Sequence, residues 1–493
     1  MKKILDKFSR AHLILAIILF SIFVFRFPSL YEPFWYGDEG IFAAVASNLN
    51  QGGVLYKTAW DNKPPMIYLT YAAIFKYFSV SMYPLRIVTL IVVLATACAI
   101  YGILEKSYGL KRALVATFLF GFLSSMRLIE GNLSLTEIFM IFPITLAMLL
   151  AVRQNFGYLS LFIAGFLFAI ASLYKQVGAF EAAALGIYLF LISKNFVEFI
   201  KKSFVLSLGF AIPYGATVFY FVQKHLLSDY IFAAYTYYRI YLGESPKYAQ
   251  LITALKFLPV MTVAVYGIWK KWKRQKIDLL HLLLLWASFS FLGSYFSGRT
   301  YGHYLVQATP AVAILLATIS IKIKLKKEQI AFGLLFFLPI IFLTKFLFSD
   351  FISGGPINQL KYWGNFASFV FGGKSLNSYY DYFDRNVNTI SGLNDFFAVN
   401  NRRGAGVYIW GDMSWLYATS NLKNPSRYVT SFHVFGVPNG KEEVAKQLND
   451  NPPDFIIRPA SSIGYFSELE RLQSKRYTLV SKVETAEIYA RTK

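Results

Sequence analysis

Eleven long apolar runs constrain this chain more than any other feature. They lie near residues 11–30, 84–104, 112–128, 137–152, 158–174, 177–193, 203–222, 250–269, 278–297, 304–321 and 329–347. A helix of about 20 apolar residues crosses a ~30 Å hydrocarbon core, so the chain reads as a polytopic membrane protein. Only 15% of its 493 residues are charged, against about 25% in soluble domains. That composition excludes a soluble enzyme and a disordered chain. A single cysteine, Cys98, excludes a disulfide framework.

The basic residues set the orientation. Lys2, Lys3, Lys7 and Arg10 precede the first run, which no small-residue cleavage site follows, and an uncleaved first helix is expected. Further clusters are Lys106/Lys111/Arg112, Arg153, Lys194/Lys201/Lys202, Lys270/Lys271/Lys273/Arg274/Lys276 and Lys322/Lys324/Lys326/Lys327. The net charge of +22 therefore sits in loops. It reads as positive-inside orientation rather than as a nucleic-acid surface. With all clusters cytoplasmic, an even number of crossings separates each pair. The additional apolar stretch from Met66 to Phe78 is then too short and of the wrong parity to cross. It is expected to be a juxtamembrane helix on the outer face, with Tyr68, Tyr71 and Tyr77 at headgroup level. Eleven crossings leave the N-terminus in the cytoplasm and the C-terminal part outside the plasma membrane.

Two domains are expected. Residues 1–347 form a mostly α transmembrane bundle whose first outer loop is 31–84, and residues 348–493 form a small extracytoplasmic α/β domain. Beyond Gly354-Gly355-Pro356, strands at Val407–Trp410, Arg427–Phe432, Phe455–Arg458, Tyr477–Lys482 and Glu487–Ala490 alternate with helices at Ser414–Thr419, Lys441–Leu448 and Ser467–Ser474. That alternation predicts a largely parallel sheet.

Ionisable residues on the outer side are the candidates for chemistry. The first outer loop carries Gly37-Asp38-Glu39-Gly40, a helical stretch Ile41–Leu49, and Asp61-Asn62-Lys63-Pro64-Pro65. Adjacent carboxylates with a lysine downstream suit a base and an anion clamp, while Asp38 also reads as an N-cap for a helix beginning at Glu39. Glu130 and Glu137 lie near membrane depth, where ionisable groups are costly and mark function. Lys175 ends the 158–174 run as a candidate ligand or a snorkelling anchor. Arg299 and His303, four apart, suit gripping a phosphate, and Tyr304 follows them. Arg402, Arg403, Asp412 and His433 read as surface or fold residues. Gly372-Gly373-Lys374-Ser375 resembles the end of a phosphate-binding loop but lacks the strand–loop–helix frame.

Taken together, Gly37-Asp38-Glu39, Asn62-Lys63-Pro64-Pro65, Glu137, Arg299, His303-Tyr304 and Gln307-Ala308-Thr309-Pro310 resemble the GT-C membrane glycosyltransferases. The order and spacing over roughly residues 10–325 are similar to the protein O-mannosyltransferase and lipid A aminoarabinose transferase group. One departure is Phe42, three residues after Glu39, where the aminoarabinose enzymes carry an Arg two residues after the acidic pair; this argues against the same substrate. The resemblance implies transfer of a sugar, with inversion, from a polyprenyl-phosphate donor to an acceptor hydroxyl of a lipid, glycan or protein. It implies Asp38 as general base, with Glu39 and Glu137 in the catalytic set, and Lys63 and Arg299 holding the donor phosphate. Glu137 would orient the acceptor or bind a divalent metal with Asp38 or Glu39; no other cofactor is expected. The partners are the donor and membrane lipids, and the acceptor stays open. The alternative is a transporter or flippase of lipid-linked sugars, for which inverted repeats and midplane charges are missing.

Overall fold

The computed structural model describes residues 2–242, 249–299, 301–319, 327–353, 355–460 and 464–492. Among them a helix occupies each of the eleven apolar runs: Lys2–Arg26, Met82–Tyr108, Leu110–Leu123, Thr136–Arg153, Tyr158–Tyr174, Phe180–Ile192, Phe196–Gln223, Ala249–Trp272, Leu279–Tyr295, Thr309–Thr318 and Lys327–Ser353. Six of the described helices are long and apolar enough to cross a membrane by themselves. The other five have 10–17 residues. Two of those five are preceded by 3-10 segments, Gln176–Ala179 and Gly302–Ala308, in stretches where the sequence predicts continuous helix. A 3-10 turn rises about 2.0 Å per residue and so extends a short helix while re-aiming its side chains. The basic cluster Lys322/Lys324/Lys326 lies outside the described residues.

The chain divides into two compact units. The first comprises Met1–Ser29, Val88–Phe219 and Glu244–Tyr362. Its helices share one apolar core, in which Ile22, Phe120, Met140, Phe168 and Trp286 are almost fully buried. Its first helix buries Ile18 and Ile22 yet exposes Leu13, Ile17 and Phe20, the pattern of a helix facing lipid on one side. Gly165 and Gly209 let two helices touch by backbone. A Cβ on Gly165 would lie 2.0 Å from the Leu206 carbonyl, and one on Gly209 would lie 2.0 Å from that of Phe162.

The second unit comprises Leu30–Ile87, Tyr220–Gly243 and Trp363–Lys493. The loop at residues 31–84 thus belongs to the same compact body as the C-terminal residues. The stretch read as a juxtamembrane helix is helical over Met66–Tyr77, 12 residues long. Tyr77 is exposed, whereas Tyr68 and Tyr71 are fully buried within the protein, with their rings 6.0 and 5.7 Å from that of Phe42. The four strands are β1 (Val407–Ile409), β2 (Phe455–Pro459), β3 (Tyr477–Val483) and β4 (Ala486–Arg491), in the order β1-β2-β4-β3. Only β1 and β2 are parallel; β4 runs antiparallel to both neighbours. The expected largely parallel sheet is therefore a mixed one. Only Glu484 and Thr485 separate β3 from β4, with Glu484 at φ 48°, and so short a link can only form a hairpin. Arg427–Phe432 is also no strand. One bridge joins Tyr428 to Trp60, after which the chain turns into the helix Ser431–Gly436.

Candidate functional site

In the second unit, the helix carrying the acidic pair spans Gly37–Asn50, starting earlier than the sequence implies. Tyr36 is its N-cap, so Asp38 is not a cap. Both Asp38 and Glu39 lie in the first turn, where the helix dipole favours negative charge. The two carboxylates then part ways. Glu39 is fully buried against the Arg86 guanidinium, whose Nη2 lies 3.0 Å from Glu39 Oε2 and 3.0 Å from Glu32 Oε2. Trp35 Nε1 donates to the same Glu32 oxygen at 3.2 Å. Asp38, half-buried, stays outside this ion cluster. A buried guanidinium shared by two carboxylates is a structural lock, and sequence reading missed Arg86 and Glu32 because both lie in apolar surroundings.

The same helix is pinned from the C-terminal side of its unit. Trp415 Nε1 donates to the Tyr36 carbonyl at 3.0 Å, and a Cβ on Gly40 would fall 2.8 Å from Trp415 Cδ1. The first turn bearing Asp38 is therefore held by C-terminal residues of the same unit.

Lys63 is fixed through its backbone. Its N–H donates to the Tyr68 hydroxyl at 3.2 Å, and its carbonyl accepts from the Tyr56 hydroxyl at 2.7 Å. The following Pro64 restricts residue 63 to extended conformations. Burial pushes both phenols well above their ordinary pKa, so they remain donors. Lys63 Nζ donates to Asn62 Oδ1 at 3.0 Å and lies 5.7 Å from the centre of the Phe42 ring. Asp61 is buried too, accepting from Tyr68 at 2.7 Å, with His433 Nε2 3.3 Å away. Burial would raise its carboxyl, but the Lys63 charge and the bonds from His433 and Tyr68 hold it well below the usual carboxylate range. His433, read from sequence as a surface or fold residue, is buried against Trp60 with ring centres 4.9 Å apart.

In the first unit, Glu137 lies in the first turn of Thr136–Arg153 and is buried in an ion pair with Lys175. Thr136 donates to it at 2.7 Å. Lys175 also sits over the Tyr304 ring, 3.5 Å from its centre. Three residues that the sequence offered separately thus form one cluster. Glu130, in a left-handed conformation with φ 53°, accepts from the His303 backbone at 3.2 Å and lies 2.6 Å from His303 Nδ1. His303 is buried on this carboxylate within a 3-10 segment, whereas Arg299 is exposed ahead of it. Arg299 precedes the 3-10 segment Gly302–Ala308 that carries His303. A further carboxyl, Glu181, went unnoticed by sequence reading; it accepts from Gln307 at 2.9 Å and Ser290 at 2.9 Å.

For a divalent metal the fit is poor. Glu39 is saturated by Arg86 and Glu137 is paired with Lys175. Among the described residues no group of three His, Cys, Asp or Glu side chains is placed to hold an ion. The Gly372–Ser375 segment is not a phosphate loop: Lys374 donates to Asn365 at 2.8 Å, and Ser375 caps the helix Leu376–Asp381.

Residues 62–222 match the family model of dolichyl-phosphate-mannose-protein mannosyltransferases. Over 98% of both chains, the fold is similar to ArnT from Cupriavidus metallidurans, in the apo state (12% identity, TM-score 0.58) and bound to undecaprenyl phosphate (13%, 0.57). An uncharacterized protein of Aquifex aeolicus is 23% identical over 330 residues, covering 64% of this chain and 65% of that relative. The chain thus spans just under two thirds of the curated relative it matches.

Proposed function

We propose that the chain is a membrane glycosyltransferase of the GT-C type, a reading supported by the family match over residues 62–222 and the ArnT-like fold, and that it moves a sugar from a polyprenyl-phosphate donor to an acceptor hydroxyl on the outer face of the membrane. The observation that carries the donor class is the fold-wide likeness to a protein whose structure holds undecaprenyl phosphate. The acceptor oxygen bonds to the anomeric carbon as the carbon–oxygen bond to the phosphate breaks, inverting that centre. The acceptor proton goes to a base, and the departing polyprenyl phosphate gains a negative charge. Lys63 is assigned to that phosphate, because its backbone is held at both polar atoms and a preplaced cation stabilises charge as it develops. Arg299, exposed in the other unit, is assigned to the donor lipid as a second cation. Asp38 is assigned the proton, since its neighbour Glu39 is consumed by Arg86. The Glu137–Lys175–Tyr304 cluster is assigned a positioning role, with His303 oriented by Glu130.

Donor kinetics with purified protein test the clamp. Lys63→Ala and Arg299→Ala should each raise the donor KM about tenfold or more, the loss of one charge-assisted contact. Lysine at position 299 should restore only part of it, as a point charge replaces a planar fork. Unchanged donor kinetics in Arg299→Ala would reassign that residue to interfacial anchoring.

A further inference from the structure

We propose that His433 is a positioning residue for Lys63: it holds Asp61, which orients Tyr68, whose hydroxyl receives the Lys63 backbone N–H. This rests on the assignment of Lys63 to the donor phosphate. Each link is a direct contact within one unit. His433 Nε2 lies 3.3 Å from Asp61 Oδ1, the Tyr68 hydroxyl donates to Asp61 Oδ2 at 2.7 Å, and Lys63 N–H donates to that hydroxyl at 3.2 Å. Tyr68 can donate only one proton. Because Asp61 takes it, the hydroxyl's lone pairs are aimed at residue 63, so the carboxylate decides which way the phenol faces.

Burial makes the chain of contacts directional. His433, Asp61 and Tyr68 are 2%, 1% and 0% exposed, so water is not at hand to replace a lost partner. His433 Nδ1 is itself buried with no hydrogen-bond partner. The imidazole therefore works through Nε2 alone, donating to Asp61, and its orientation is fixed by that bond and by the edge-to-face contact with Trp60. The strand-like bridge beside it, with Trp60 N–H donating to the Arg427 carbonyl at 2.8 Å, brings the Lys63 loop to the helix Ser431–Gly436 that carries His433. The extracytoplasmic C-terminal residues thereby set the place of the phosphate-binding ammonium.

Binding of undecaprenyl phosphate to the purified full-length protein, with melting temperature recorded alongside, tests the proposal. Lys63→Ala should weaken binding about tenfold. His433→Leu should weaken it at least about fivefold, but should add nothing in the Lys63→Ala background, because residues acting through one another are not additive. His433→Gln, which keeps a donor near the Nε2 position, should recover most of the loss. If His433→Leu does not fold, Tyr68→Phe replaces it and should show the same non-additivity. Wild-type affinity in both His433→Leu and Tyr68→Phe, or equal losses with and without Lys63, would overturn the positioning role while leaving the Lys63 assignment intact. Wild-type affinity in Lys63→Ala would overturn that assignment, and the inference with it.

Discussion

At residue 61, burial and ionisation oppose one another, and ionisation wins because Lys63, His433 and Tyr68 all favour the carboxylate. A carboxyl whose folded pKa lies below its unfolded value contributes stability that is present above the unfolded value, about 3.9 for Asp, and is lost as the pH falls below it. The melting temperature of the wild type should therefore drop progressively as the pH falls below about 4, and Asp61→Asn should flatten that drop. An equally steep acid slope in Asp61→Asn would mean that other carboxylates carry it. None of this geometry was legible in the sequence. Asp61 stood within a recognised motif, but His433 is a lone histidine in a six-residue helix, and no periodicity or spacing links it to a loop so far upstream. Lys63 was legible, because a lysine set directly before two prolines in a long ordered loop stands out as a cation held in place.

At the scale of elements, the helix Gly37–Asn50 is placed by two contacts at its N-terminal end: Glu39 on Arg86, and the backbone of Tyr36 on Trp415. Arg86 is the most consequential side chain in that arrangement. Arg86→Leu would leave Glu32 and Glu39 buried without a cation, at a cost of about 3–5 kcal/mol. Thermal unfolding should show a large loss, much of it recovered when Glu32→Gln and Glu39→Gln are added. A near-normal melting temperature in Arg86→Leu alone would contradict the lock. Helices were readable in the sequence wherever apolar length was sufficient, and the C-terminal helices Trp415–Thr419, Gly440–Asp450 and Ser467–Arg476 match their predicted stretches closely. Sheet direction was misread, because the general alternation of strands and helices outweighed the four-residue gap, with no helix in it, between the last two predicted strands, which is hairpin spacing. The start of Gly37–Asn50 was misplaced for a similar reason. An aspartate ahead of a helical stretch reads as an N-cap, whereas here Tyr36 takes that position and Asp38 lies in the first turn.

For the molecule as a whole, the account requires that the unit containing Asp38 and Lys63 face away from the cytoplasm, as the parity of basic clusters predicts. In a Cys98→Ala background, single cysteines replacing Asn377 or Asn439, both exposed, should react with a membrane-impermeant maleimide in intact cells. Labelling only after lysis would reverse the topology. The central claim is that this chain cleaves a polyprenyl-phosphate sugar and passes the sugar on, with Asp38 taking the acceptor proton. It is tested most directly by supplying the protein, reconstituted in a bilayer with a membrane extract as acceptor, with radiolabelled polyprenyl-phosphate sugars. The release of free polyprenyl phosphate is then compared between the wild type and Asp38→Asn. The account predicts that the wild type moves label onto an acceptor as polyprenyl phosphate appears, and that Asp38→Asn slows this by about a hundredfold or more while still binding the donor. Donor recovered uncleaved on the opposite side of the bilayer, or near-normal turnover in Asp38→Asn, would contradict it.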